Sequence, residues 1–223
     1  MPARLRSGRI CYVDLRSAFG RGVLITGGFD AALTNLICSE VRRRPGAFID
    51  AGANIGYFSL LALDLDATEV HAFEVDPRSL RCLRLTRERN GLENLRIHEC
   101  AIGDRSGGVH LALQPEFGHT YVDLQASNGS LFPMRTLDSF RTDFRAPISM
   151  MKLDVEGAEL AVLRGGEGIL REYHPLVVSE VIAENLARFG NTDLELIDYM
   201  RSLGYTFTEL AGANDRNLIF SAS

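Results

Sequence analysis

Residues 48–56 read Phe-Ile-Asp-Ala-Gly-Ala-Asn-Ile-Gly, and this stretch decides the fold class. An apolar run ends at Asp50, and Gly52 and Gly56 follow it before a helical pattern begins. Glycines in a turn between a strand and a helix let a ligand approach the backbone closely. The free N–H groups at the start of that helix point toward such a ligand. The stretch therefore predicts a buried strand, a ligand-binding turn and a helix.

The spacing of this turn excludes two common nucleotide sites. A dinucleotide fingerprint needs glycine where the chain has Asn54 and Tyr57, and there is no Gly-Lys-Ser/Thr triplet for a triphosphate. Glu74 ends the next predicted strand, about 20 residues further on, where a carboxylate can accept both ribose hydroxyls. Asp50 would repel a pyrophosphate and suits a cationic ligand. S-adenosylmethionine (SAM), an adenosine with a positively charged tail, fits all three features, whereas each feature alone has a purely structural alternative.

Short apolar runs alternate with helical periods, which is typical of an α/β sheet with parallel strands and right-handed crossovers. We expect residues 1–45 to form an N-terminal strand and helix segment that caps the substrate cleft, and residues 46–223 to form the ligand-binding domain. The final strand is expected to be antiparallel. The predicted main strands lie at 47–50, 69–74, 95–100, 149–154, 176–180, 205–210 and 217–221, and shorter ones at 109–113, 121–124 and 131–135.

Composition narrows the class of protein further. The chain has 223 residues, 46% of them hydrophobic and 24% charged, which is ordinary for a globular protein. Its net charge of −5 provides no basic footprint for nucleic acid. We expect no signal peptide and no membrane span, because no apolar run approaches the length that either needs. The four cysteines form no C-x-x-C pair, so neither a zinc site nor a disulfide framework is indicated.

A second polar pair interrupts a later apolar strand. Lys152, the only lysine in the sequence, and Asp154 are two positions apart, so they share one face of the strand. Such charges need partners or solvent, and a ligand at the carboxyl end of a parallel strand meets that need, although a structural ion pair is the alternative. Glu156 and Glu159 follow at the start of a helix, where the dipole favours anions.

Three motifs in order resemble those of the FkbM-type SAM-dependent methyltransferases. They are residues 48–56, residues 71–77 (His-Ala-Phe-Glu-Val-Asp-Pro) and residues 152–160 (Lys-Leu-Asp-Val-Glu-Gly-Ala-Glu-Leu). The resemblance spans roughly residues 8–220. It implies a Rossmann-like class I fold with a seven-stranded sheet of order 3-2-1-4-5-7-6, and methyl transfer to a hydroxyl of a sugar, polyketide or other secondary metabolite. Val75 stands where the family commonly has proline.

The resemblance also implies roles for single residues. Residues 50–56 would wrap the methionine part of SAM, Glu74 would bind the ribose, and residues 100–102 would flank the adenine. Asp138 echoes a further family position that could orient a loop beneath the substrate. The predicted cofactor-binding set is Asp50, Gly52, Ala53, Asn54, Gly56, Glu74, Val75, Ala101, Ile102 and Asp154.

For catalysis we expect Asp154 to act as the base that deprotonates a hydroxyl, with Lys152 as its electrostatic partner. His119 is the other candidate base, since residues 114–135 could form a lid on the same cleft. No metal site is predicted. A magnesium ion held by Asp154, Glu156 and Glu180 is left open as an alternative.

The acceptor is expected to be a small molecule bound by the N-terminal region, residues 114–147 and residues 183–192. Two other functions remain open at this point. One is N-methylation of an amino sugar or peptide, which needs little or no base, and the other is a non-catalytic SAM-binding scaffold. We expect a cytoplasmic protein with no nucleic-acid or membrane partner, and a homodimer as the default assembly.

Overall fold

The structure is a computed structural model, and it describes residues 1–65, 67–113, 120–123 and 130–222. The strands are β1 (Pro2–Arg4), β2 (Ile10–Tyr12), β3 (Ala47–Ala51), β4 (Glu69–Glu74), β5 (Leu95–Glu99), β6 (Ala101–Ile102), β7 (Gly107–Leu113), β8 (Thr120–Asp123), β9 (Leu131–Arg135), β10 (Ile148–Leu153), β11 (Leu176–Glu180), β12 (Tyr205–Glu209) and β13 (Asn217–Ala222). The helices are α1 (Ala18–Thr26), α2 (Ala31–Arg43), α3 (Tyr57–Leu63), α4 (Pro77–Asn90), α5 (Glu159–Gly165), α6 (Glu167–Tyr173), α7 (Ala183–Arg188) and α8 (Asp193–Ser202), and a 3-10 helix spans Leu137–Asp143.

Seven strands form the central sheet in the order β12-β13-β11-β10-β3-β4-β5. The five strands from β11 to β5 are parallel, and β13 runs antiparallel to both of its neighbours. When the seven strands are numbered along the chain, the order is 3-2-1-4-5-7-6, so the predicted fold class is confirmed. The sheet grows in opposite directions on the two sides of the β3–β10 pair. A ligand-binding crevice forms at such a switch point, beyond the carboxyl ends of the strands.

Local sequence signals explain the ends of the helices around this crevice. Helix α4 begins after Asp76, whose carboxylate accepts a hydrogen bond from the Arg78 N–H, and it ends at Gly91 in the left-handed conformation. The apolar pattern of the sequence predicts a helix over residues 54–65. Helix α3 begins only at Tyr57, because Asn54 and Gly56 both have positive φ angles. The residues between β3 and α3 therefore form a turn instead of the first turn of a helix.

Successive residues of the sheet strands pack alternately into two hydrophobic cores, one on each face of the sheet. In β3, Ile49 packs with residues of α5, α6 and α8, whereas Phe48 packs with residues of α2, α3 and α4. Met150 and Val178 belong to the same core as Phe48. Residues at even positions of β3 and β11, and of β10 from Met150 onward, therefore lie on one face, and this places the polar residues that end those strands side by side.

The remaining elements surround the central sheet. Strands β6, β9, β7 and β8 form a small second sheet, and β1 pairs with β2 in an antiparallel hairpin. This hairpin is held on α4, since Thr86 Oγ1 accepts a hydrogen bond from the Tyr12 N–H at 2.8 Å. Within the described ranges, no helix taken singly is long and apolar enough to cross a membrane. Helices α1 and α2 reach that length only together, and they are bent by 73° to each other.

Candidate active site

A cavity of about 630 Å³ lies beyond the carboxyl ends of β3, β4, β10 and β11. Its volume falls in the range of about 300–1,000 Å³ that is usual for small-molecule sites. The turn after β3, the tip of β4 and the start of α4 form one side of the cavity. The residues that follow β10 and β11 form the other side, and parts of the N-terminal region and of α7 complete the wall.

The turn after β3 is held tightly against its neighbours. The N–H groups of Gly52 and Ala53 both donate to the Phe73 carbonyl at 3.0 Å. Gly52 has a φ of 76°, and a Cβ at this position would overlap the Asp154 carbonyl oxygen. Only glycine satisfies both conditions, so residue 52 brings the β3 turn directly against the end of β10.

Glu74 joins the tip of β4 to this turn. One carboxylate oxygen, Oε2, accepts a hydrogen bond from the Asn54 N–H at 2.7 Å, and Oε1 accepts from the N–H groups of Val75 and Asp76. A carboxylate has about four lone-pair positions, so Oε2 retains one that can accept from a ligand. Burial raises the pKa of Glu74, and the three N–H donors act in the opposite direction.

Asp50 lies beneath the cavity and has no exposed side-chain surface. Its Oδ2 accepts a hydrogen bond from Ser59 Oγ at 2.6 Å, and its Oδ1 lies 3.4 Å from Lys152 Nζ. The register of β3 against β10 pairs these two residues directly. Asp50 therefore supports the floor of the cavity through Lys152.

Lys152 bridges the floor and the wall of the cavity. Its Nζ donates to the Gly52 carbonyl at 3.0 Å and lies 3.2 Å from Asp154 Oδ2. It also lies 5.4 Å from the centre of the Phe58 ring. Burial lowers the pKa of Lys152, but Asp154 and Asp50 more than offset this effect, so the pKa lies above its ordinary value. Lys152 thus stays protonated and cannot serve as a base at neutral pH.

Acidic side chains dominate the far wall of the cavity. Asp154 follows β10 with 39% of its side chain exposed, and Glu180 ends β11. Asp215, which precedes β13, and Glu156 line the same wall. Burial is the largest cause that raises the pKa of Glu180 to about 9, and the charges of Asp154, Glu156 and Asp215 add to it. An acceptor in this part of the cavity thus meets carboxylates and a neutral carboxyl group, and an anionic acceptor is disfavoured.

Two apolar patches flank these polar groups. Val75, Ala101, Ile102 and Leu111 form a wall beside Glu74 that suits a flat heterocycle. Phe19, Phe29 and Leu33 reach the cavity from the N-terminal region.

Comparison with known proteins identifies the family. Residues 50–207 match the model of the methyltransferase FkbM domain. The chain belongs to the FkbM methyltransferase family. Among curated relatives, the 31-O-demethyl-FK506 methyltransferase FkbM of Streptomyces tacrolimicus is 37% identical over 162 residues, which cover 57% of this chain and 62% of that protein. Methyltransferase 1 of Beauveria bassiana is 24% identical over 160 residues, with 61% and 63% covered. This chain thus spans about three fifths of the length of these two relatives.

Solved structures share the fold of this FkbM-family chain. Methyltransferase FkbM from Methylobacillus flagellatus superposes with a TM-score of 0.57 at 20% identity, covering 79% of this chain and 43% of that one. A tRNA (m1A22) methyltransferase described as putative, from Streptococcus pneumoniae and in complex with S-adenosyl-L-methionine, gives 0.53 at 16% identity, with 86% and 73% covered. At these identities the likeness establishes the fold alone.

Most of the predicted site residues of the FkbM-family chain line the cavity, and two do not. Asp50 lies beneath the floor, and Gly56 begins α3 behind the turn, where a Cβ would overlap the Leu83 side chain. His119 lies outside the described residues. The predicted residues that line the cavity are Gly52, Ala53, Asn54, Glu74, Val75, Ala101, Ile102, Lys152 and Asp154.

Asp138 does not line the cavity. Its carboxylate accepts hydrogen bonds from the N–H groups of Gly168 and Ile169, at 2.8 and 2.9 Å, and so it caps the start of α6. The start of α6 needs an acceptor for its free N–H groups, and Asp138 meets this need. Its role in orienting a loop beneath the substrate stays a prediction.

Several residues that line the cavity were not singled out from the sequence, although Asn185 lies in the range 183–192 expected to contact the acceptor. Phe58 is an apolar residue of a helix in sequence, yet its ring lies against Lys152. Asn185 of α7 donates to Glu156 Oε2 at 3.0 Å and so holds the turn after β10. Asn217 begins β13 opposite Glu180. The signal that could have found the last two is their position beside the tip of β11, at the same edge of the sheet as Glu74.

The described residues contain no group of three or more His, Cys, Asp or Glu side chains that could hold a metal ion. Asp154, Glu156 and Glu180 share one wall of the cavity but do not converge on a common point in this way. The alternative of a magnesium ion therefore has no donor set among the described residues.

Proposed function

We propose that this chain is a SAM-dependent methyltransferase that transfers a methyl group to a hydroxyl of a small acceptor, such as a sugar, a polyketide or another secondary metabolite. The observation that carries the proposal is the Glu74 carboxylate, which joins the glycine turn to the tip of β4 and keeps one lone-pair position open to the cavity. The family match and the name of the Streptomyces relative support the O-methyl assignment.

The residues present fit this cofactor. Glu74 offers an acceptor to a ribose hydroxyl, and the apolar wall of Val75, Ala101 and Ile102 suits an adenine. The acidic wall around Asp154 suits the positive charge at the other end of the cofactor. When bound, the cofactor supplies a methyl group that its sulfonium has already activated.

The protein then has two tasks, alignment and removal of a proton. A well-oriented pair of reactants can lower the barrier by about 7–11 kcal/mol. A positioned base adds about 10²–10⁴-fold when the nucleophile is a hydroxyl. We assign the removal of the hydroxyl proton to Asp154, which is accessible from the cavity. Lys152 holds the Asp154 carboxylate in place.

N-methylation is the second candidate, and the acidic wall is the observation that favours it. An ammonium or amine acceptor would be attracted to the same carboxylates. An assay with matched pairs of acceptors, one bearing a hydroxyl and the other an amine at the same position, separates the two reactions. We expect transfer to the hydroxyl member of the pair.

The Glu74→Gln variant tests the cofactor assignment. Calorimetry with SAM should show an affinity that is lower by about tenfold to a hundredfold, which corresponds to about 1–3 kcal/mol for a hydrogen bond to a charged group. Glu99→Gln is the matched control. Glu99 pairs with Glu74 across β4 and β5 but is exposed and does not line the cavity, so its affinity should be unchanged.

Two results would contradict the assignment. If the unaltered chain gives no binding heat with millimolar SAM, the chain is not a SAM-dependent enzyme and the proposed function fails. If Glu74→Gln binds SAM as tightly as the unaltered chain, Glu74 is not the ribose ligand.

A further inference from the structure

Glu180 and Asp154 lie side by side at the tips of two adjacent parallel strands. The register of β10 and β11 pairs Leu153 with Ser179, so the residues that follow each of these are neighbours. Both belong to the face that carries Met150 and Val178, and both line the cavity. The Glu180 carboxylate is half-buried and open to the cavity.

The charges around Glu180 are mostly negative. Asp154 and Glu156 face it from the end of β10, and Asp215 faces it from the segment before β13. Lys152 is a cation that acts on Glu180, but its Nζ already contacts Asp50, Asp154 and the Gly52 carbonyl. Arg188 of α7 lines the same cavity.

This environment keeps a proton on Glu180 at neutral pH. Burial, followed by the repulsion of the three carboxylates, raises its pKa to about 9. A neutral Glu180 relieves part of the like-charge repulsion in the wall. A cationic ligand would compensate the negative charge of this wall equally well, and Glu180 could then ionise.

We propose that Glu180 is the final acceptor of the proton released in the reaction, and that the charge of the bound cofactor switches it between its neutral and ionised forms. This inference rests on the proposed function, because it requires a sulfonium ligand in the cavity. Glu180 loses its proton to solvent when the cation binds, and the carboxylate is then ready to receive the proton of the acceptor hydroxyl.

As the acceptor oxygen forms its bond to the methyl carbon, the electron pair of the breaking carbon–sulfur bond stays on sulfur. The hydroxyl proton moves to Asp154 and from there to Glu180, so Asp154 ends as the carboxylate it was at the start. The products are a methyl ether, an uncharged thioether and a neutral Glu180. Loss of the positive charge makes Glu180 basic at the moment when the proton arrives.

Proton-linked calorimetry tests this inference without any turnover. SAM and S-adenosylhomocysteine are each titrated at pH 8 into the full chain, in buffers that differ in ionisation enthalpy. The two ligands share the same nucleoside and amino-acid skeleton and differ in the methyl group and the sulfonium charge. The part of their difference that is lost in the Glu180→Gln variant isolates the effect of that charge on Glu180, because the ligands' own amino groups titrate alike in both proteins. An opposite charge close to a carboxyl lowers its pKa by about 1–3 pH units. Glu180 should therefore release about 0.4–0.9 proton more with SAM than with S-adenosylhomocysteine, and the difference should vanish above about pH 10.

The Glu180→Gln variant should abolish the difference in proton release. Glutamine has nearly the same shape and mimics the neutral carboxyl, so the fold is retained. The preference for SAM over S-adenosylhomocysteine should fall about tenfold at pH 8, because the compensating carboxylate is lost. Glu184→Gln is the matched control, because Glu184 is exposed on α7 and does not line the cavity. It should behave like the unaltered chain.

The outcomes separate this inference from the proposed function. If the unaltered chain binds SAM but releases equal numbers of protons with both ligands, the role of Glu180 is refuted while the cofactor assignment survives. The same holds if Glu180→Gln retains the difference. If neither ligand binds, the proposed function fails and this inference fails with it. The comparison of the two ligands in the unaltered chain does not depend on the folding of any variant.

Discussion

At the scale of single residues, Gly52 shows how one position serves both the fold and the site. Its φ of 76° suits glycine, and its missing side chain lets the β3 turn touch the end of β10. Lys152 reinforces this contact, because it donates to the Gly52 carbonyl and also pairs with Asp154. The cofactor turn and the proposed base are therefore joined through one small residue.

Replacing Gly52 by alanine should be much more destabilising than the same change at Gly91. Gly91 also has a positive φ, but a Cβ there meets nothing within 4 Å. Gly91→Ala should thus cost only the left-handed conformation, about 1–2 kcal/mol. Gly52→Ala should cost about 1–3 kcal/mol more, because the new Cβ overlaps the Asp154 carbonyl oxygen. Urea unfolding of both variants measures the difference, and equal losses would show that the turn can move away from β10.

At the scale of elements, hydrogen-bond requirements explain features that resemble functional ones in sequence. Asp138 lies in the 3-10 helix before β10, and its two contacts are both N–H groups of α6. Glu159 accepts from the N–H groups of Val155 and Gly157 and so shapes the turn after β10. Acidic residues near helix starts are common for this reason, and their spacing in sequence does not separate a cap from a ligand.

Asp138→Ala should lower the free energy of unfolding by about 1–2 kcal/mol through the loss of this cap. The affinity for SAM should be unchanged, because Asp138 does not line the cavity. Asp143→Ala is the control in the same 3-10 helix, since Asp143 is exposed. Thermal unfolding and calorimetry on the three proteins check both statements. A weaker affinity for SAM at unchanged stability would show that Asp138 contributes to the site.

At the scale of the whole molecule, the sheet carries a second group of titratable residues away from the cavity. His71 Nδ1 lies 2.9 Å from His98 Nε2, and the two rings stack with Phe73 and Phe140 beside them. Burial is the largest cause that lowers the pKa of His98 to about 4, and His71 adds to it. The folded chain therefore favours neutral His98, whereas the unfolded chain protonates it at about pH 6.5.

Stability should consequently fall as the solution is acidified. The contribution of His98 is fully present above pH 6.5 and is lost as the pH falls toward 4. His98→Phe keeps the aromatic stack and removes the titrating group. Between pH 4 and pH 6.5, the slope of the unfolding free energy against pH should therefore decrease by the equivalent of about one bound proton. His174→Asn is the control, because His174 is exposed and asparagine tolerates its positive φ. An unchanged slope in His98→Phe would show that other groups cause the loss of stability at acidic pH.

The sequence by itself determined the order of strand, glycine turn and helix, the place of Glu74, and the family to which the chain belongs. Each of these follows from residues close together in the chain, because the spacing of apolar residues and the positions of glycines determine local structure. The seven-stranded order also came from sequence, through the resemblance carried by three motifs rather than through any local rule.

Only the tertiary structure decided which polar residues meet. Asp50 belongs to the same motif as Gly52, yet the register of β3 against β10 places it beneath Lys152 instead of in the cavity. Glu180 is distant in sequence from Asp154, yet β11 lies beside β10 and brings both to one wall. Burial and pKa depend on such neighbours across strands, and neighbours across strands are set by the pairing of the whole sheet.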